Sequence, residues 1–253
     1  MARVIAVCNQ KGGVGKTTTS VNLGAYLSAL GKYVLLVDLD SQANATVGLG
    51  LSVEASAASV YHSLVSDTNP RSAIRRTPLF GFDILPATQA LAGATVELVA
   101  MEEREKRLAR VLGQVRNDYD YVLVDCPPSL GLLTVNALAA ADRVLIPVQC
   151  EYYALEGLGQ LMRTIEMVRG SLNPELQVLG VVLTMHDKRN QLSRQVADEV
   201  QQHFPGRVFE AVVPRVVSLA EAPSFGKTIL QHDPGSRAAE AYRALAEEII
   251  RIS

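Results

Sequence analysis

Eight residues near the start of the chain, Lys11-Gly12-Gly13-Val14-Gly15-Lys16-Thr17-Thr18, combine three glycines, two lysines and two threonines. Glycines let successive backbone N–H groups turn toward an anion, and Lys16 adds a positive charge beside them. Thr17 places a hydroxyl where a phosphate-bound Mg²⁺ takes an oxygen ligand. The implied chemistry is the binding of a phosphate chain. In such loops a further glycine usually stands five residues before Gly15, a position held here by Gln10. A second lysine, Lys11, follows it. Three aspartates are candidate partners for the loop. Asp125 ends an apolar run and precedes Cys126-Pro127-Pro128-Ser129, the placement of a carboxylate that holds Mg²⁺ directly or through its waters. Asp38 and Asp40 lie two apart, so in extended chain both face the same side. Asp40, farther into its loop, is placed to orient an attacking water. Asp38 is placed to support the metal shell or the loop lysine. Thr17, Asp40 and Asp125 are thus the candidate metal contacts.

These residues act together only if the chain delivers them to one place. Val4-Ile5-Ala6-Val7 reads as a buried parallel strand, and Thr19–Leu27 after the glycine run has helical periodicity. Strand, glycine turn and helix form the context in which a helix N-terminus receives a phosphate. Further strand-like runs follow at Tyr33–Asp38, Tyr121–Asp125, Arg143–Val148 and Val178–Leu183. Helices are expected at Glu102–Val115, Gly157–Val168 and Ser236–Ile250. Near-continuous apolar strands separated by helices predict an α/β fold, a parallel sheet with helices on both faces. Asp40–Ser59, rich in Ala, Ser and Gly, predicts a mobile connection with a short helix, starting where functional loops of such sheets cluster. No repeat or long linker interrupts the series, so residues 1–253 are expected to form a single domain.

Composition narrows the class. Apolar residues make up 48% of the chain, enough for a sizeable core, and the absence of tryptophan leaves alanine, valine and leucine to fill it. A formal net charge of −2 argues against a general nucleic-acid coat while permitting a local basic patch. The first residues lack the apolar stretch of a secretory signal, and no apolar run approaches the ~20 residues of a spanning helix. Cys8, Cys126 and Cys150 lack metal-ligand spacing and read as reduced core thiols.

Lys11 through Thr18, Asp40 and Asp125-Cys126-Pro127-Pro128 together resemble the deviant Walker-A ATPases, P-loop NTPases whose loop carries the extra lysine. Val148–Gly157, Ser218–Gly226 and Asp233–Ala238 extend the likeness nearly end to end and resemble the ParA/Soj branch, which partitions chromosomes and plasmids. The resemblance implies a nucleotide-sandwich homodimer that forms with ATP and Mg²⁺, Lys11 reaching the phosphates of the partner subunit's ATP. It implies slow ATP hydrolysis in which Lys11, Lys16 and Asp40 act, with Gly12, Gly13, Val14, Gly15, Thr17, Thr18 and Asp38 around the nucleotide. The ATP dimer is expected to bind double-stranded DNA without sequence preference, and a ParB-type centromere-binding protein to stimulate hydrolysis and release it. In some relatives a replication initiator is a further partner. The expected location is cytoplasmic and nucleoid-associated, with no stable membrane attachment.

By similarity, Arg189 falls where a DNA-contacting arginine is expected, with Lys188, Arg215 and Lys227 as further basic candidates. This branch often carries an arginine at the position of Ser218, so the DNA-facing surface here is expected to differ. Met185 stands where GTP-binding relatives carry a base-reading lysine, which favours adenine; Pro214 and Val216 are expected to line the base pocket. Three other functions are weighed. A MinD-like membrane-cycling regulator needs a basic amphipathic C-terminal helix, whereas Ala244–Ser253 carries paired glutamates. An iron-protein-like reductase needs two thiolates at a shared dimer face. No substrate constellation supports a metabolic ATP-dependent ligase.

Overall fold

The computed structural model describes residues 1–52, 54, 57–151 and 154–252, apart from the side chains of residues 154–156. Tyr152 and Tyr153, inside the Val148–Gly157 run, and part of the Asp40–Ser59 segment lie outside the described residues. Eight strands form one sheet: β1 Arg3–Val7, β2 Val34–Asp38, β3 Arg75–Arg76, β4 Phe82–Leu85, β5 Tyr121–Asp125, β6 Arg143–Gln149, β7 Gln177–His186 and β8 Val208–Pro214. Their order is β3-β4-β2-β5-β1-β6-β7-β8. Among the described residues, only the short pair β3 and β4 at one edge is antiparallel.

The buried strands show why their sequences read as unbroken apolar runs. Val4, Ala6, Leu35, Val37, Val122 and Val124 enter the core on one face. Their neighbours Ile5, Val7, Val34, Leu36, Tyr121 and Leu123 enter the core on the other. A sheet covered on both sides admits apolar residues at every position. Helices Arg107–Gly113, Leu132–Ala140, Ala154–Ser171 and Gln191–His203 pack on the first face, and helices Lys16–Ala29 and Arg237–Arg251 on the second.

Register decides where the chemistry gathers. β5 lies between β1 and β2, pairing Asp125 with Val7 on one side and with Asp38 on the other. The loop after β1, the loop after β2 and Asp125 therefore emerge level at the carboxyl edge of the sheet, where α/β sheets hold ligands.

Several elements differ from expectation. The first helix begins at Lys16, three residues before the periodic stretch, because Gly15 caps it in the left-handed region at φ 87°. Glu102–Val115 is not one helix: a 3₁₀ turn, Arg104–Lys106, precedes the helix Arg107–Gly113. Glu103 has φ 48°, and the Asn136 amide enters the break, accepting from the Leu108 N–H at 3.0 Å and donating to the Arg104 carbonyl at 2.7 Å. The helix expected at Gly157–Val168 runs longer, Ala154–Ser171. The last helix is Arg237–Arg251, with Ser236 accepting from the Ala239 N–H at 3.2 Å as its cap. Strands β4 and β8 and helices Leu132–Ala140 and Gln191–His203 add to the elements expected from sequence.

Candidate active site

The glycine loop closes around its own second lysine. Lys16 is 6% exposed and its Nζ donates to the Lys11 carbonyl oxygen at 3.0 Å. Burial lowers the pKa of this ammonium, an effect opposed by the charge of nearby Asp125. The positive φ of Gly13 and Gly15, 74° and 87°, supplies the turns that send the chain from strand to helix. The back of the loop is pinned by the Thr184 hydroxyl, which donates to the Val14 carbonyl at 2.8 Å. Val14 itself is buried beneath the loop.

Asp125 and Asp38 are both fully buried. Asp125 Oδ1 accepts from the Ser20 hydroxyl at 2.9 Å, whereas Oδ2 is buried without a hydrogen-bond partner. The Thr17 hydroxyl is close enough to favour the charged carboxylate, yet its geometry makes no hydrogen bond to Oδ2. Burial, and next the neighbouring Asp38, push the Asp125 carboxyl above the ordinary carboxylate range. A buried carboxylate oxygen without a partner is costly unless a cation or its water shell takes it up. An unpaired carboxylate oxygen beside a threonine hydroxyl is the hard-oxygen donor set that Mg²⁺ accepts.

Asp38 has a different occupation from the one expected. Its Oδ2 accepts from the Thr46 N–H at 2.9 Å and the Thr46 hydroxyl at 2.8 Å, and its Oδ1 from the Asp40 N–H at 3.1 Å. With both oxygens so engaged, Asp38 folds the following segment and does not line the cleft. Burial raises its carboxyl above the ordinary range, moderated by the Thr46 hydrogen bonds. The short helix expected in this segment is Asn44–Gly48. Asp40 stands at its approach and accepts from the Gln42 N–H at 3.0 Å. Among the described residues, Asp38, Asp40 and Asp125 do not gather into a three-carboxylate cation cluster.

A cleft of about 500 Å³ opens above the loop, lined by Gly12, Gly13, Gly15, Lys16, Thr17, Thr18 and Asp40. Asn22, Gln42, Asn44 and Pro223 are among the other residues that line it, none marked by a motif because they come from separate, non-periodic segments. An adjoining apolar cavity of about 260 Å³ shares Gly15, Thr18 and Met185, and adds Thr184, Pro214, Val216 and Leu219. Phosphate-binding loop and apolar cavity are contiguous, as a nucleotide requires, so Met185, Pro214 and Val216 meet at one place. Met185 holds a left-handed φ of 51°, uncommon for a side-chain-bearing residue.

Lys11 faces outward. Its side chain is 36% exposed, and its Nζ lies 3.5 Å from Glu151 Oε2. Arg215 reaches the other oxygen of Glu151 at 3.3 Å. Arg215, Lys188 and Arg189 line a second, polar cleft with Arg237, Glu210 and Glu240. Arg189 is 92% exposed and pairs with Asp187 at 3.2 Å. Lys227 stands apart from these three and lines the cleft above the glycine loop. The basic candidates thus divide between two places.

The three cysteines are buried in the core, with Cys8 and Cys126 in mutual contact. The last helix packs Tyr242, Leu245, Ala246 and Ile249 into the core. No helix among the described residues is long and apolar enough to cross a membrane.

Comparison with known proteins finds relatives along nearly the whole chain. The family model of an AAA domain matches residues 2–178. The chain is 55% identical over 249 residues to the sporulation initiation inhibitor protein Soj of Bacillus subtilis, covering 98% of both chains. It is 52% identical over 250 residues to the chromosome partitioning protein ParA of Caulobacter vibrioides, covering 98% of this chain and 94% of that one. Among solved structures, cobyrinic acid a,c-diamide synthase of Mycobacterium smegmatis, with bound ATP analogue and magnesium, superposes with a TM-score of 0.88. It is 41% identical, with 99% of this chain and 95% of that one covered. The cell division ATPase MinD of Pyrococcus furiosus superposes with a TM-score of 0.81 at 26% identity, each chain covered fully. Identity above one half, sustained along nearly the whole length, joins a phosphate loop with an extra lysine to these relatives: the chain belongs to the ParA/Soj family of chromosome-partitioning ATPases.

Proposed function

We propose that the chain is a single-domain, ATP- and Mg²⁺-dependent DNA-segregation ATPase in which hydrolysis times assembly. Lys16 and the N–H groups of the loop hold the phosphates, and the adjoining cavity with Met185, Pro214 and Val216 takes adenine. Thr17 and Asp125 hold the metal site; Mg²⁺ there neutralises charge on the phosphate oxygens. Asp40, whose N–H is held by Asp38, orients the attacking water. Its contribution is orientation and electrostatics more than basicity.

The observation that carries this reading is the opposite disposition of two lysines on one loop. Lys16 is turned into the cleft, 6% exposed, whereas the partly exposed Lys11 side chain is held by an exposed ion pair with Glu151. Exposed pairs of this kind contribute only about 0–1 kcal/mol, so Lys11 is readily drawn to a stronger partner. A second subunit's triphosphate is such a partner. A charge supplied in trans couples nucleotide state to dimerisation.

In the ATP dimer, Lys188, Arg189 and Arg215, with Lys227 farther off, form the surface for non-specific double-stranded DNA. A ParB-type centromere-binding protein stimulates a slow basal hydrolysis and resets the cycle. The protein works in the cytoplasm on the nucleoid. The buried apolar face of the last helix supports this reading over a membrane-cycling one. Nearly full-length identity to Soj and ParA supports it over an amide-forming synthase.

The test is DNA retention with ATP, ADP and no nucleotide over a salt series, alongside sedimentation of the Lys11→Ala variant. Retention should require ATP and fall steeply with salt as phosphate contacts exchange for counterions. Lys11→Ala should bind ATP as a monomer and dimerise about a hundredfold more weakly or worse, the scale of losing one charge of a close pair across an interface. Nucleotide-independent retention, or normal ATP dimers of that variant, would overturn the proposal.

A further inference from the structure

Asn9 is a buried polar side chain, 5% exposed, immediately ahead of the loop. Its Nδ2 donates to the Pro147 carbonyl oxygen at 2.7 Å, and its Oδ1 accepts from the Lys11 N–H at 3.1 Å. The orientation of the amide is determined by these partners, since a carbonyl only accepts and a backbone N–H only donates. Pro147 belongs to β6, next to β1 and three strands from β2. The side chain therefore ties the root of Lys11 to a neighbouring strand. A Cβ placed on Gly157 would lie 3.8 Å from Asn9 Oδ1, so the helix Ala154–Ser171 closes over the amide.

The Lys11 peptide is consequently held from two directions. Asn9 takes its N–H, and Lys16 Nζ donates to its carbonyl at 3.0 Å. A residue fixed at both backbone groups has its Cα–Cβ direction fixed too, and the exposed Lys11 side chain leaves the loop along that direction. Asn9 lines neither of the two adjoining cavities.

We propose that Asn9 is a positioning residue for Lys11: by bridging β6 to the Lys11 N–H, it aims the lysine outward at the nucleotide of a second subunit. This rests on the reading of Lys11 as a trans lysine. A merely packed core amide would stabilise the fold without acting through Lys11, and the two roles separate in a double-mutant cycle.

The experiment uses the full chain as wild type, Asn9→Ala, Lys11→Ala and the double variant, with a slowly hydrolysed ATP analogue and Mg²⁺. The dimer dissociation constant is read by sedimentation, monomer affinity by titration with a fluorescent ATP analogue, and folding by thermal melting. Asn9→Ala should weaken the dimer about tenfold, the scale of losing a buried hydrogen bond and stranding its partner. Monomer affinity should stay within about twofold, and Asn9→Ala should add nothing in the Lys11→Ala background. Asn9→Ser should give an intermediate loss. Its hydroxyl can accept from the N–H two residues on but is too short for the Pro147 carbonyl, and it carries the cycle should Asn9→Ala fail to fold. Multiplying losses, an unaffected Asn9→Ala dimer, or an equal fall in monomer affinity would overturn the Asn9 role alone. Normal ATP dimers of Lys11→Ala would overturn the trans reading and this one with it.

Discussion

Asp125 and Asp38 sit side by side, wholly buried, at paired positions of neighbouring strands. Their carboxyls, near 4 when unfolded, are raised by burial to about 7 and about 6. Between those limits the folded chain holds more protons than the unfolded one. The stability this confers is full below about pH 4 and is lost as pH rises through about 6 to 7. For nucleotide-free protein in chelator, the melting temperature should therefore fall between pH 5 and 8. Asp125→Asn, which keeps the Ser20 contact, should flatten that fall. A shift of one pKa unit corresponds to about 1.4 kcal/mol, and in a protein of this size each kcal/mol moves the melting temperature about 2–4 °C. Parallel melting profiles for the two proteins would show that Asp125 ionises freely. The same scale governs two functional variants. Lys16→Ala removes the buried cation that faces both the phosphates and Asp125, and ATP affinity should drop at least tenfold in a direct titration. Asp40→Ala leaves those contacts intact; turnover should fall about a hundredfold or more while ATP-dependent dimers persist, and a variant that still hydrolyses ATP normally would remove Asp40 from the chemistry. Residue types and spacing made the strand, glycine turn and helix that carry Lys11, Lys16 and Thr17 legible, since that unit is local in sequence. The hydrogen bonds from Thr46 to Asp38 were not legible, because Thr46 lies in a segment whose path no periodicity reveals.

Elements that are buried on both faces announced themselves, and those at the edges did not. β4 is four residues with Asp83 in its middle, and β8 alternates buried and exposed positions around Glu210. Each is made regular by a distant polar partner: the Tyr119 hydroxyl donates to Asp83 at 2.9 Å, and Glu248 accepts from the N–H groups of Glu210 and Ala211 at 3.1 and 2.8 Å. The most consequential contact of this kind carries no side chain at all. Gly50 and Gly226, both with positive φ, meet so closely that a Cβ on Gly226 would fall 2.5 Å from the Gly50 Cα. This contact seats the helix Asn44–Gly48, near Asp40, against the turn Ala222–Phe225, whose Pro223 lines the cleft. Gly226→Ala should push the two segments apart, lower stability by about 1–3 kcal/mol, and reduce turnover more than ATP affinity, because Asp40 moves while the glycine loop does not. Thermal melting and steady-state kinetics check both parts; unchanged turnover with lowered stability would confine the contact to a structural role.

At the scale of the molecule, the cleft, the outward lysine and the basic surface serve one cycle only if ATP makes two chains one folded unit. Ligand that binds only the native state raises stability by mass action, and a monomeric complex does so independently of protein concentration. A sandwich dimer does not, because its assembly enters the same equilibrium. The Asp40→Ala variant, expected to retain ATP without consuming it, isolates this effect. With saturating ATP and Mg²⁺ its melting temperature should climb as protein concentration rises a hundredfold. Adding Lys11→Ala should leave the stabilisation by ATP but abolish the dependence on protein concentration. Lys16, Thr17 and Asp125 lie within one chain and survive dilution, whereas a Lys11 that acts in trans does not. A concentration dependence that persists without Lys11 would mean that the dimer is built on other contacts. Its absence in Asp40→Ala alone would mean that ATP closes a cleft within one chain without joining two.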